Sequence, residues 1–136
     1  MAAAAGQMTV LALRLHPGDD LKLGIEAAFA ETGAGAGCIV AAVGSLSRAV
    51  VRPAGREDGI TFEGDMELVA LGGTLSPDGA HLHLAVSDAE GRVTGGHLLP
   101  GSVVRTTAEL VLGLIAGITF AREIDPATGF RELTIT

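Results

Sequence analysis

The sequence predicts the α/β (α+β) fold class: a single compact domain with a mostly antiparallel sheet and one or two packed helices. Three observations support this prediction. The chain has 136 residues, of which 48% are hydrophobic, so it can form one core of ordinary size but not two domains. Its 20 glycines separate short runs of Val, Leu and Ile, as is typical of strands joined by turns. Residues 21–31 show the apolar repeat of a surface helix.

A strand and then a helix are predicted at the start of the chain. Residues 8–15, MTVLALRL, alternate and contain β-forming residues, and a turn at residues 16–18 ends this strand. Asp19 or Asp20 is expected to cap a helix that runs to about Glu31. The apolar residues of this helix recur on one face: Leu21, Ile25, Ala28 and Phe29.

Apolar runs bounded by turn residues predict the strands in the middle of the chain. Residues 38–52, CIVAAVGSLSRAVVR, are expected to form two strands around a turn at Gly44 and Ser45. The runs 59–63, GITFE, and 65–76, DMELVALGGTLS, each predict a further strand, because each is bounded by Gly, Asp or Pro.

The last part of the chain predicts a closing hairpin. Residues 118–124 and 130–136 are β-forming runs on either side of the turn-forming residues 125–129, DPATG. The preceding segment, residues 108–117, AELVLGLIAG, fits either a helix or a buried strand, because a short continuous apolar run does not distinguish the two.

Charge and cysteine content limit the function classes. The formal net charge of −7 and the pI near 4.9 mean that the surface as a whole repels phosphate backbones. The nearest approach to a basic patch consists of Arg48, Arg52 and Arg56, which are expected to lie on a solvated edge. Cys38 is the single cysteine and lies in an apolar run, so we expect a buried, inert thiol and no intrachain disulfide.

No segment indicates secretion or a membrane span. Residues 1–7, MAAAAGQ, lack the basic and apolar regions of a signal peptide. The longest apolar run, residues 110–120, is shorter than the roughly 18 residues that a membrane helix needs. We therefore expect a cytoplasmic protein without a membrane partner, with a flexible N-terminus at residues 1–7 and one domain at residues 8–136.

Three of the four histidines lie in one predicted hairpin, residues 81–98, HLHLAVSDAEGRVTGGHL. His81 and His83 are two residues apart in a strand and therefore project to one face. The intervening residues favour a three-residue loop, 89–91, in which a type I turn is followed by a left-handed glycine. Such a loop places His83 directly opposite His97, with Cβ atoms about 4.5–5.5 Å apart.

The hairpin leaves alternatives open. A two-residue loop would place Leu82 opposite His97 and disperse the cluster, and a bulge at Gly95 and Gly96 would also change the register. Ordinary structural histidines remain an alternative to a metal or anion site. Three imidazoles with an open fourth position are a ligand set of catalytic zinc, so an enzyme is admissible. Two acidic residues are candidate partners but are expected to be paired structural carboxylates: Glu67 and Glu109.

Three segments of the sequence are similar to those of a known family. They are VGSLSRAVVR, MELVALGGTLS and HLHLAVSDAEGRVTGGHLLPGSVVRTTAELVL. Together they resemble the PPC family, the plant and prokaryote conserved domain, and the resemblance extends over about residues 8–120. Its most specific parts are residues 91–98 and 105–109. At the position of the plant motif Gly-Arg-Phe-Glu-Ile-Leu, the chain retains the glutamate as Glu67 and has Asp65 in place of the arginine.

The resemblance implies an α/β sandwich around a largely antiparallel sheet, assembled as a homotrimer. It also implies a metal site at His81, His83 and His97, because stand-alone prokaryotic members are similar in their His-x-His and Gly-Gly-His positions, which plant domains generally lack. The expected cofactor is zinc or another divalent transition metal.

The DNA-binding label of the family belongs in plants to an AT-hook, an Arg-Gly-Arg-Pro element that inserts into the minor groove. The sequence contains no Arg-Gly-Arg-Pro, so tight direct DNA binding is not expected. We expect a trimeric binding or regulatory module that acts with a protein partner or a small molecule. The alternative is a metal-dependent enzyme that acts on a small molecule at the trimer cleft, where Arg48, Glu67 and Arg105 would bind the ligand.

Overall fold

The computed structural model describes residues 1–136 and contains one six-stranded antiparallel sheet, one helix and a separate two-stranded hairpin. The sheet strands, in chain order, are β1 (Gln7–Leu15), β2 (Gly37–Arg52), β3 (Ile60–Ser76), β4 (Gly79–Ser87), β5 (Val93–Leu98) and β6 (Val103–Ala116). The helix is α1 (Leu21–Glu31), and the hairpin consists of β7 (Phe120–Ile124) and β8 (Arg131–Ile135). The predicted mostly antiparallel sheet with a packed helix is confirmed.

The order of strands across the sheet is β1-β6-β2-β3-β4-β5, and all neighbouring pairs are antiparallel. The sheet also curls, because the end of β2 pairs with β5 and places Arg52 opposite His97. Most of the segment 108–117, for which the pattern left helix and strand open, belongs to β6 between β1 and β2. Its Leu110 and Leu112 enter the core, so the apolar run is that of a central strand.

The helix α1 covers one face of the sheet. Asp20 caps it by accepting a hydrogen bond from the Leu23 backbone N–H at 3.0 Å, which decides between the two aspartates considered above. The helix buries Leu21, Ile25 and Phe29. No helix of the structure combines the length and the apolar character that crossing a membrane requires. On β4 the buried residues are Leu82, Leu84 and Val86. Because side chains alternate along a strand, His81 and His83 project to the opposite face of the sheet.

The turn predicted at Gly44 and Ser45 is wrong, because β2 continues through both residues. At Gly44 the strands β2 and β6 approach closely: a Cβ atom here would lie 2.2 Å from the Thr107 carbonyl oxygen. The register of β2 against β6 also shifts just after this glycine. Gly44 therefore accompanies a β-bulge within a long strand and not a turn between two short ones.

The two strands predicted at residues 59–63 and 65–76 are one strand, β3. Between the register pairs that flank Gly64, β3 contains one residue more than β2. Gly64 has φ +117°, a conformation that L side chains rarely adopt, and so permits this bulge. A bulge glycine inside a strand has the same local signal as a turn glycine between strands, which explains the error.

The predicted closing hairpin is confirmed, since β7 and β8 pair with each other from Phe120 to Ile124. This hairpin docks beside the loop between β3 and β4, where the Arg122 backbone N–H donates to Asp78 Oδ2 at 2.8 Å. Its docking brings Arg122 and Arg131 close to the histidines of β4 and β5.

Candidate metal centre

The loop between β4 and β5 fixes the register of the histidine hairpin. The Asp88 N–H donates to the Arg92 carbonyl at 2.9 Å, and the Gly91 N–H donates to the Asp88 carbonyl at 3.0 Å. Gly91 has φ +77°, as a left-handed residue after a type I turn requires. The Asp88 carboxylate also accepts from Arg92 Nε at 2.9 Å, and this hydrogen bond lowers the pKa of the Asp88 carboxyl. The predicted three-residue loop is therefore present.

The three histidines converge. His83 lies opposite His97 in the β4–β5 ladder, which has no register shift at the glycine pair. The Nε2 atoms of His81 and His83 are 3.2 Å apart, and the centroids of the three rings are separated by 4.9–5.6 Å. One nitrogen from each of the three imidazoles lies within 4.8 Å of the other two. The two-residue loop and the bulge are thus excluded.

A glycine allows the two strands to approach at this point. A Cβ atom at Gly95 would lie 2.1 Å from the Leu84 carbonyl oxygen, so no other residue fits without separating β4 from β5. Gly95 pairs with Ala85, two positions from the pair of His83 with His97. The Gly-Gly-His sequence therefore combines a close strand approach with a histidine on the exposed face.

The environment lowers the pKa of two of the three imidazoles. Burial, followed by the charges of His81 and Arg52, lowers the pKa of His97 from 6.5 to about 4. Burial and then the Arg122 guanidinium also lower the pKa of His81. Neutral imidazoles offer a nitrogen lone pair, which is the form that binds metal ions.

The histidine cluster fits a metal ion by distance and by chemistry. Ligands of a tetrahedral zinc ion, at about 2.0–2.1 Å from the metal, lie about 3.3 Å from one another, which is close to the Nε2 separation of 3.2 Å between His81 and His83. His97 Nδ1 is buried and has no hydrogen-bond partner. An unsatisfied buried nitrogen is costly. A metal ion would provide a partner for the lone pair of such an imidazole ring.

Arg122 is a contact of the cluster that the sequence did not reveal. Its Nη2 lies 2.8 Å from His81 Nδ1. A guanidinium can only donate, so Nδ1 accepts and the proton of neutral His81 lies on Nε2. A metal ion on Nε2 requires the proton on Nδ1 instead, so a metal and Arg122 favour opposite tautomers of His81. The arginine was missed because its position depends on the docking of the β7–β8 hairpin.

The other predicted ligand residues lie outside the histidine cluster. Arg48 on β2 pairs with Glu63, and Arg105 on β6 pairs with Asp65, each at 2.8 Å. Glu67 on β3 is exposed and lies in register with Ser45 and Ser87. The acidic partners considered for the histidines were Glu67 and Glu109, whereas the acidic residue that lies beside His81 and His83 is Glu132 on β8.

Cys38 and Glu109 contribute nothing to the cluster. Cys38 on β2 is half-buried rather than buried and lies in register with Thr74 and Gly113. Glu109 on β6 lies opposite Arg14 of β1, at the other side of the sheet from β4 and β5. The ligand set of the candidate metal centre therefore consists of imidazoles alone.

Comparison with known proteins identifies the family of this chain. A family model described as the Plants and Prokaryotes Conserved (PCC) domain matches residues 2–116. The chain belongs to this family. This PPC domain is 48% identical over 130 residues to the bifunctional protein GlmU of Synechococcus sp. strain JA-3-3Ab, with 96% of the chain covered. The matched part is 21% of GlmU, so the chain spans about a fifth of the length of that relative.

Plant and prokaryotic proteins share the PPC domain. AT-hook motif nuclear-localized protein 2 of Arabidopsis thaliana is 29% identical, over 91% of this chain and 40% of the plant protein. A hypothetical protein from Salmonella enterica has a TM-score of 0.95 and 40% identity, over 98% of this chain and 96% of that chain. A metal-containing protein from Archaeoglobus fulgidus has a TM-score of 0.83 and 27% identity, over 98% and 99% of the two chains.

Proposed function

We propose that this PPC domain is a binding module whose centre is one divalent transition metal ion, zinc, held by His81, His83 and His97. The observation that carries the proposal is the convergence of three imidazoles within 4.8 Å of one another. The lowered pKa values of His81 and His97 and the unsatisfied His97 Nδ1 support it. The metal-containing Archaeoglobus protein, which shares the fold and 27% of the sequence, supports it independently.

Elemental analysis of protein purified without a polyhistidine tag tests this proposal. We expect about one zinc ion per chain in the wild type and less than a tenth of that in His83→Gln, because two imidazoles bind zinc far more weakly than three. His16→Gln is the matched control, since the fourth histidine lies in the loop before α1 and outside the cluster. A wild-type protein that carries no stoichiometric metal and takes none up at pH 8 would refute the proposal.

We also propose that the module is a homotrimer, because the sheet presents apolar side chains on the face opposite α1. Met8 and Val10 on β1 and Val40 and Val43 on β2 are 49–62% exposed. The mean hydropathy of +0.45 is high for so small a domain. Exposed apolar side chains on one sheet face are typical of an interface between subunits.

Direct, tight binding to duplex DNA is not part of the proposed function. The net charge of −7 per chain opposes it and is multiplied in an oligomer. Any role with DNA would then require a basic protein partner. Fluorescence anisotropy with an A·T-rich duplex at physiological salt should show no submicromolar binding by this chain, and a salt-dependent submicromolar affinity would contradict this expectation.

A metal-dependent enzyme is the second candidate function, favoured by an open cavity of about 830 Å³ next to His81 and His97. A metal ion there would supply Lewis-acid chemistry. Arg48, Glu67 and Arg105 remain a proposed ligand set only for a cleft that trimer formation completes. Panels of hydrolase and lyase substrates tested with the zinc-loaded protein distinguish an enzyme from a binding module, since turnover supports the enzyme and its absence across both panels supports the module.

A further inference from the structure

The arginines of this acidic chain are distributed unevenly. The chain has nine basic residues, and its ion pairs use Lys22, Arg48, Arg92 and Arg105. Five arginines have no carboxylate partner: Arg14, Arg52, Arg56, Arg122 and Arg131. Four of these five line the open cavity of about 830 Å³ that also contains His81 and His97. Only Arg14 lies elsewhere, where its Nε donates to Thr107 Oγ1.

Backbone carbonyls orient three of these four guanidinium groups without neutralising their charge. Arg52 donates from Nη1 to the Arg56 carbonyl at 3.3 Å. Arg131 donates from Nε and Nη2 to the Arg122 carbonyl at 3.1 and 2.7 Å, and Arg122 donates from Nη2 to the Arg131 carbonyl at 2.9 Å. Arg52, Arg122 and Arg131 are therefore oriented without a carboxylate partner, whereas Arg56 contributes its carbonyl to Arg52 and keeps its own guanidinium free.

The cavity is a positive region on a negative protein. Its only acidic lining residues are Glu57 and Glu132, against four arginines. Glu132 accepts a hydrogen bond from Thr128 Oγ1 at 3.1 Å and forms no ion pair with the arginines. Four like charges in one cavity repel one another, so a ligand of opposite charge would stabilise the arrangement.

We propose that this cavity binds a small-molecule anion through a carboxylate or phosphate group, with Arg52 and Arg56 as its principal contacts. The planar guanidinium matches the geometry of both groups, because it can donate two parallel hydrogen bonds to their oxygens. The arginine part of this proposal is independent of the metal. The part that places the anion beside the ion held by His81 and His97 rests on the proposed function.

The position of Arg52 links the anion to the histidines. Arg52 lies directly opposite His97 where the sheet curls from β2 to β5, and its charge is among the causes of the low His97 pKa. An anion bound at Arg52 therefore lies next to the histidine cluster, where a metal with an open position would add a second attraction. A small anion fits better than a nucleic acid, because the two glutamates of the lining and the net charge of −7 repel a polyanion.

Calorimetric titration with inorganic phosphate and with succinate, at low ionic strength, tests the proposal. Each probe is titrated into chelator-treated protein and into zinc-loaded protein freed of excess zinc. We expect at least one probe to bind, with the stronger probe identifying phosphate or carboxylate as the preferred group. Arg52→Met and Arg56→Met should each weaken that binding at least tenfold. Arg92→Met is the matched control, because it removes the same charge from a residue that pairs with Asp88 outside the cavity.

The possible outcomes separate this proposal from the metal site. Anion binding that is lost in both cavity variants supports the proposal, even if the wild type takes up no zinc and the metal site is refuted. Zinc uptake without binding of either probe overturns the anion site and leaves the metal site intact. Equal binding by wild type, Arg52→Met and Arg56→Met also overturns it, as does binding of duplex DNA alone. Circular dichroism of each variant verifies that the domain is folded.

Discussion

Arg122 and a metal ion favour opposite tautomers of the His81 imidazole. The guanidinium donates to Nδ1 at 2.8 Å, whereas a metal on Nε2 requires a proton at that same Nδ1. In metal-binding histidines the second nitrogen usually donates to a carboxylate or carbonyl, which strengthens the ligand. Here a positive donor takes the place of that acceptor, so Arg122 weakens His81 as a metal ligand.

Replacement of Arg122 should therefore increase the affinity for zinc. We expect Arg122→Met to lower the zinc dissociation constant about tenfold, equivalent to about 1.4 kcal/mol, because a hydrogen bond to a charged group contributes about 1.5–3 kcal/mol. Competition titration with a chromophoric chelator measures the change. Arg56→Met controls for the loss of a nearby charge alone, since no hydrogen bond joins Arg56 to the histidines, and it should change the affinity less. Weaker zinc binding by Arg122→Met would contradict the tautomer argument.

Acid should destabilise the metal-free domain through His97. Its pKa is about 4 in the folded protein and returns to its ordinary value of 6.5 on unfolding. Between these values the unfolded chain binds a proton that the folded chain does not, so the free energy of unfolding falls as the pH is lowered. Above pH 6.5 this contribution is fully present, and it is lost as the pH falls through about 4.

Urea unfolding in the presence of a chelator, at pH values between 7.5 and 4.5, measures this contribution. Other groups also titrate in this range, so the informative quantity is the difference between the wild type and His97→Gln. We expect the wild type to lose more of its free energy of unfolding on acidification than the variant does. Identical pH dependence in the two proteins would show that His97 does not hold a lowered pKa in the folded state.

At the scale of elements, the β4–β5 hairpin was predictable and the longest strands were not. The register of the hairpin follows from residues 89–91, which lie between the strands that they join. The signal is therefore local in the sequence. Gly44 and Gly64 depend instead on how their strands pair with other strands, because they accompany bulges against β6 and β2. Arg122 was missed for the same reason, since the docking of β7 and β8 has no local signal.

Gly95 tests whether the close approach of β4 and β5 supports the site. In Gly95→Ala the new Cβ would meet the Leu84 carbonyl oxygen at 2.1 Å and the Ala85 Cα at 3.0 Å. Because these are backbone atoms, the strands must separate, and we expect a loss of about 1–3 kcal/mol in the free energy of unfolding together with weaker zinc binding. Urea unfolding and zinc competition measure the two effects.

Gly72 supplies the matched control for this substitution. It lies on β3 opposite His83, and a Cβ atom there would meet nothing within 4 Å. Gly72→Ala should therefore leave both the stability and the zinc affinity close to those of the wild type. If Gly95→Ala behaves in the same way as Gly72→Ala, the spacing of β4 and β5 does not determine the site.

At the scale of the whole molecule, apolar and charged surfaces lie at different ends of the sheet. The apolar side chains of β1 and β2 mark the proposed subunit interface, while the uncompensated arginines surround the histidines of β4 and β5. The length of β2 separates them, because Val40 and Val43 lie near its start whereas Arg52 is its last residue. Assembly through the apolar face would therefore leave the arginine cavity open to small molecules.

Light scattering at micromolar concentration tests the assembly. A trimer should have three times the chain mass of 13.7 kDa. Val10→Glu, which places a charge on the exposed apolar face of β1, should shift the mass towards that of a single chain. A wild-type mass near 13.7 kDa would refute the trimer, and the metal and anion sites would then have to function within one chain.

Strand β5 is paired along both of its edges, with β4 on one side and the end of β2 on the other. His97 lies opposite His83 on one side and opposite Arg52 on the other, so the backbone of this ligand is ordered by the sheet itself. The backbone that carries the histidines is therefore ordered when the domain folds. Small zinc domains differ, because they fold only around their ion. Chelation should therefore remove the ion without unfolding the domain, and the occupancy of the site would follow the free zinc concentration of its surroundings reversibly.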